Sequence, residues 1–99
     1  MNRAQQTIVK IDDMLGAWTH GHETPAAAYS AIKLLLESAA VATDDLAAEN
    51  SQELLHSLSL TVDEMFFSID GIELMQCAAT AHAETQRLMH LLSDRRVAG

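Results

Sequence analysis

The side chains able to ligate metal or move protons are few in this chain, and they are scattered. His20, His22 and Glu23 form the one local cluster with the character of a metal site, since a loop would let both imidazoles face a single ion. Zinc takes three or four ligands, and no second cluster in the sequence pairs with this one, so a solvated loop is the competing reading. His82 and His90 lie eight apart, offset by about 80° on an α-helix, and His56 stands alone. The adjacent acids Asp12-Asp13, Asp44-Asp45 and Asp63-Glu64 diverge by about 100° on a helix, an arrangement suited to solvent rather than to a shared proton. Hydrolysis would need a nucleophile beside a base and an oxyanion-stabilising turn, and the sequence offers neither. It also lacks a phosphate loop and a dinucleotide fingerprint. The expectation is a non-enzymatic protein with no catalytic residues, no resident metal and no cofactor.

Cys77 is the only cysteine, so no internal disulfide forms and a reducing compartment is the natural setting. It reads as a small buried hydrophobe, because no neighbour supplies a base or positive charge that would activate it. The segment MNRAQQTIVKIDD lacks the apolar run of a secretory signal, and no uninterrupted apolar stretch approaches the ~18 residues that span a membrane. A cytoplasmic protein is expected.

The elements that position these residues are helices. Of the 99 residues, 48% are hydrophobic, and most of those are helix-favouring, with one proline, four glycines and four aromatics. Ala4, Ile8, Ile11, Leu15 and Trp18 alternate by three and four and so share one side of a first helix, for which Gly21 is the left-handed cap. Thr24 followed by Pro25 marks the start of a long second helix, with a seam of Ala28, Ile32, Leu35, Ala39, Ala42 and Leu46. Asn50 and Glu53 have the spacing of a capping box that opens a third helix near Ser51. That helix carries Leu55, Leu58, Val62, Met65, Ile69 and Ile72 on one stripe. Asp70-Gly71 either breaks it or is tolerated within it, and the shift of period to Leu74, Ala78, Ala81, Thr85, Leu88 and Leu92 favours a break or bend. Arg95 and Arg96 complement a helix C-terminus, beyond which fraying is expected. The whole reads as one all-α domain over 1–99, a bundle of three or four long helices.

The net charge is −8, and its distribution is uneven. No Lys or Arg occurs from Leu34 to Gln86, whereas Glu37, Asp44, Asp45, Glu49, Glu53, Asp63, Glu64, Asp70, Glu73 and Glu84 all fall there. Such a field repels phosphate backbones and anionic lipid, which disfavours direct binding to nucleic acid or membrane. Imitation of nucleic acid by these acids is a weaker reading than a solvated polar face, because they fall on more than one side of the helices.

A second apolar stripe is the more informative feature. Leu60, Phe67 and Leu74 recur every seventh position, nearly opposite the seam of Leu58, Val62, Met65 and Ile69. Either both stripes have neighbours within the chain, or one of them, with Met65, Phe66 and Phe67, faces a second subunit or a partner. The candidate partner-binding residues are therefore Leu60, Met65, Phe66, Phe67 and Leu74, and a homodimer is expected because the chain would otherwise expose a large apolar patch.

The segment from about Ala27 to Met75, with LLESAAVATDDLA followed by LLHSLSLTVDEMFFSIDGIEL, resembles small Ala-rich helical-hairpin proteins of bacteria. A small, acidic, all-helical chain of this kind is also similar to the QslA-type anti-activators of quorum sensing. That resemblance implies a dimer that disables a LuxR-type transcription factor by occupying its dimerisation surface, and it carries over no site residues. A structural or self-assembling helical module, and a metal-responsive protein using His20 and His22, stand as the alternatives.

Overall fold

The computed structural model describes residues 3–45 and 49–98, with side chains described for 3–43 and 50–92. Four helices follow one another: α1 (Arg3–Thr19), α2 (Pro25–Asp45), α3 (Glu49–Phe66) and α4 (Gly71–Ala98), with no strand among the described residues. The chain is an all-α bundle, and the break at Asp70-Gly71 makes it one of four helices rather than three.

The local signals act as their chemistry requires. Gly21 takes φ 76°, a left-handed conformation open to glycine at no steric cost, and α1 closes around it. His22 N donates to Ala17 O at 2.8 Å and Gly21 N to Trp18 O at 3.2 Å, the two reversed bonds of a glycine-capped helix end. At the start of α2 the Thr24 hydroxyl accepts from Ala27 N at 3.2 Å, while Pro25 occupies the first helical position, where its missing N–H costs nothing. The proposed cap of α3 is shifted. Asn50 lies inside the first turn, since α3 already contains Glu49. At the other end α4 continues through Ala98, so the expected fraying after Arg96 is not seen in the backbone. The side chains of Arg95 and Arg96, like Leu46, lie outside the described residues.

α1 packs on α2 and α4, and α3 on the same two neighbours, which places the four helices around one core within an envelope of 44 × 19 × 17 Å. Cross-helix bonds show the antiparallel order. Tyr29 reaches Asp63, Lys33 reaches Ser59 and Gln52 reaches Thr43, so numbers rise on α2 as they fall on α3. The core holds Ile8, Ile11, Ile32, Leu58, Val62, Met65, Leu88 and Leu92, each worth about 1.5–3 kcal/mol when fully buried. In α2 the expected Ala28, Ile32 and Ala39 are buried, Leu36 and Thr43 are buried with them, and the expected Leu35 and Ala42 are only half-buried. Ala28, Ile32, Leu36, Ala39 and Thr43 form a tighter stripe, and Thr43 is accommodated because its hydroxyl donates to Ala40 O and accepts from Gln52 Nε2.

By length and composition alone, Pro25–Thr43 of α2 could cross a membrane, at a mean hydropathy of 1.2. In the bundle this helix is one wall of the core, and its Lys33 is paired with Asp63 of α3.

Candidate protein-binding surface

The surface lies where α3 ends. Phe67 N still donates to Asp63 O at 3.1 Å, and Ser68 closes the helix by donating to Met65 O through both its N–H (3.3 Å) and its hydroxyl (2.7 Å). After Ile69 the chain restarts, because the Asp70 carboxylate accepts from Glu73 N at 2.7 Å and caps α4. Ile69 is left between two helix ends, 95% exposed.

The aromatic side chains stack outward from this end. Phe66 lies over Tyr29 of α2 with ring centroids 4.4 Å apart, and Phe67 meets Phe66 edge-on at 5.3 Å. Beneath them, Asp63 Oδ1 accepts from Tyr29 Oη and Lys33 Nζ, both at 2.8 Å, and Lys33 also donates to Ser59 Oγ at 2.7 Å. Two donors hold the Asp63 carboxyl below the ordinary carboxylate range, the Lys33 hydrogen bond being the larger cause. The hydrogen bond that Tyr29 Oη donates to Asp63 favours the protonated phenol and, with burial, raises its pKa. The network fastens α2 to α3 and orients the aromatic platform.

The candidate residues separate into two groups. Leu60, Phe66 and Phe67 are exposed, Phe67 by 72%. Met65 is 1% exposed and belongs to the core, a correction to its expected place at a partner surface. One helical residue turns by about 100°, which is enough to put Met65 in line with Leu58 and Val62 while Phe66 and Phe67 face out. Leu74 is the second correction. The seventh-residue pattern does not run from Phe67 to Leu74, because residues 67–70 are not helical, and Leu74 starts the inward stripe of α4, half-buried against the core.

Ile69 and Ile72, placed by the sequence on one stripe with Leu58, Val62 and Met65, part from those buried residues and are exposed, Ile72 by 75%, and Met75 is exposed on the next turn. The signal that could have placed them was Asp70-Gly71: once the helix stops there, an inward stripe has no reason to persist through Ile69 and Ile72. The apolar surface that results comprises Phe66, Phe67, Ile69, Ile72 and Met75, with Leu60 further along α3.

Several other polar groups have partners within the bundle. Cys77 is half-buried, its thiol 3.8 Å from Glu64 Oε2, and burial together with the charges of Glu64 and Glu73 pushes its pKa up. His20 Nδ1 is 2.9 Å from Gly16 O, and the His20 and His22 rings lie 6.3 Å apart on an exposed loop. No group of three His, Cys, Asp or Glu side chains is placed to hold a metal ion among the described residues. A pairing that sequence spacing could not show joins α1 to α4. Asp12 Oδ1 is 2.8 Å from His82 Nδ1 and accepts from Thr85 Oγ1 at 3.2 Å.

Comparison of the chain with protein-family models, with curated proteins and with solved structures finds no match in any of the three.

Proposed function

We propose that this protein is a non-enzymatic regulatory module that works by binding another protein through the apolar surface at the α3–α4 turn. The observation that carries the reading is that the chain closes its own core around Met65, Val62 and Leu58 yet leaves Phe67, Ile69, Ile72 and Met75 exposed together within nine consecutive residues. Rigid aromatics and flexible aliphatic or thioether side chains gathered at one place are the composition of an interface centre rather than of an ordinary solvated surface. Sequestration of a transcription factor by covering its dimerisation surface is the form of regulation this reading favours, in a reducing cytoplasm that leaves Cys77 a free thiol. The experiment is copurification from the native cell with wild type and with Phe67→Asp, quantified by mass spectrometry alongside circular dichroism. A partner lost in the variant while helicity is kept supports the reading; lost helicity and lost partner together would return Phe67 to the core.

Self-association is a second property of the same proposal, supported by a different face. Leu34 and Val41 are exposed on α2, one helical heptad apart, and they would suit a homodimer. Light scattering after gel filtration, with Leu34→Ser as control, tests it: a monomer at micromolar concentration rejects the dimer.

A further inference from the structure

The surface around Phe67 has a charged border of one sign. Glu64 stands on α3, Asp70 in the turn and Glu73 on the first turn of α4. The Glu64 carboxylate on α3 lies 3.8 Å from the Cys77 thiol on α4, which places it at the α3–α4 seam, and Glu73 stands one turn before Cys77 on α4. Among the described residues, none of Glu64, Asp70 and Glu73 forms an ion pair. Lys33 is engaged by Asp63, and the sequence supplies no other Lys or Arg until Arg87.

Resting on the protein-binding reading of this surface, the geometry points to one occupant: an amphipathic helix of the partner whose apolar face is flanked by Lys or Arg. The apolar half of that description answers Phe67, Ile69, Ile72 and Met75, and the basic half answers Glu64, Asp70 and Glu73. Backbone pairing is not available as a mode of recognition, because the described residues include no strand whose edge could be extended. Side-chain docking of a helix remains. A second copy of this chain fits poorly here, since a two-fold interface centred on the turn sets Glu64, Asp70 and Glu73 against their own counterparts. Anionic lipid and nucleic acid meet the same repulsion.

The test uses the full chain and three labelled peptides of about 18 residues, or five helical turns. All share a leucine face, and their flanks are lysine, glutamine or glutamate. Fluorescence anisotropy at low and high salt reads the affinity. The lysine peptide is expected to bind, to weaken as salt rises, and to lose about tenfold in affinity when Glu64→Gln and Glu73→Gln are combined. Phe67→Ser with Ile72→Ser should abolish binding, with circular dichroism showing that this variant keeps its helices. Equal affinity for the glutamine peptide overturns the basic flank and leaves the apolar site standing. Lysine-peptide binding that survives Phe67→Ser with Ile72→Ser is general attraction to an acidic protein, and it overturns both the inference and the site. Failure of all three peptides overturns the helical occupant. A wild-type dimer dissociated by Phe67→Ser overturns it as well, because a second copy would then cover the face.

Discussion

The Thr61 hydroxyl on α3 lies 2.8 Å from Glu84 Oε1 on α4, and Glu84, 7% exposed, also accepts from Ser57 Oγ one turn away. A carboxylate thus enters the α3–α4 contact with hydroxyl partners and no cation. The pairing is sensitive to register, since sliding α3 by one residue would carry both hydroxyls away from the acid.

Glu84→Ala should destabilise the bundle by roughly 1–3 kcal/mol, because it removes the acceptor and leaves a cavity beside Ser57 and Thr61. Glu84→Gln, which keeps an acceptor oxygen, should cost less. Urea unfolding compares the two, and equal losses would show that shape rather than hydrogen bonding governs the site.

Met65 and Phe67 offer a direct separation of core from surface. Met65→Ala should lower stability by about 2–5 kcal/mol, whereas Phe67→Ala should change it by less than about 1 kcal/mol. Thermal melts of both variants check this, and the reverse order would place Phe67 in the core.

Gly16 lies inside α1, and a methyl group added at its Cα would meet nothing within 4 Å. Gly16→Ala should stabilise the protein by about 0.5–1 kcal/mol, mainly by lowering the entropy of the unfolded chain. A midpoint unchanged or lowered in urea would contradict that.

Asp63 and Tyr29 shift in opposite directions and so act at opposite ends of the pH scale. The depressed Asp63 carboxyl contributes stability above its unfolded value of about 3.9, and this is lost as pH falls through the lower folded value. The raised Tyr29 phenol contributes stability below about pH 10, lost as pH rises through its folded value. Both effects are small, because the pair is partly solvated. Tyr29 is the only tyrosine, so tyrosinate absorbance reports it alone. Asp63→Ala should bring that titration down towards the ordinary value, and an unmoved curve would remove Asp63 as the cause.

Cys77 should react slowly with thiol reagents at neutral pH, since burial and the charges of Glu64 and Glu73 all disfavour its thiolate. Glu64→Gln should quicken the reaction, as it removes one of those charges. An unchanged rate would assign the protection to burial alone.

What the sequence determined by itself was local. Apolar spacing in α1, the cap at Gly21 and the Thr24-Pro25 start each depend on residues within one or two turns, so their chemistry is complete in a short stretch of chain. The all-α bundle and most of its inward residues followed from the same signals. The tertiary structure decided what lies between elements. It chose the break at Asp70, and with it the outward turn of Ile69 and Ile72 and the inward turn of Leu74. It assigned Met65 and Phe67 to opposite sides. It also brought Tyr29 to Asp63 and Asp12 to His82, pairs 34 and 70 residues apart in the chain. Those meetings depend on how antiparallel helices settle against one another, and a register set by the packing of a whole core leaves no mark in the spacing of the residues it joins.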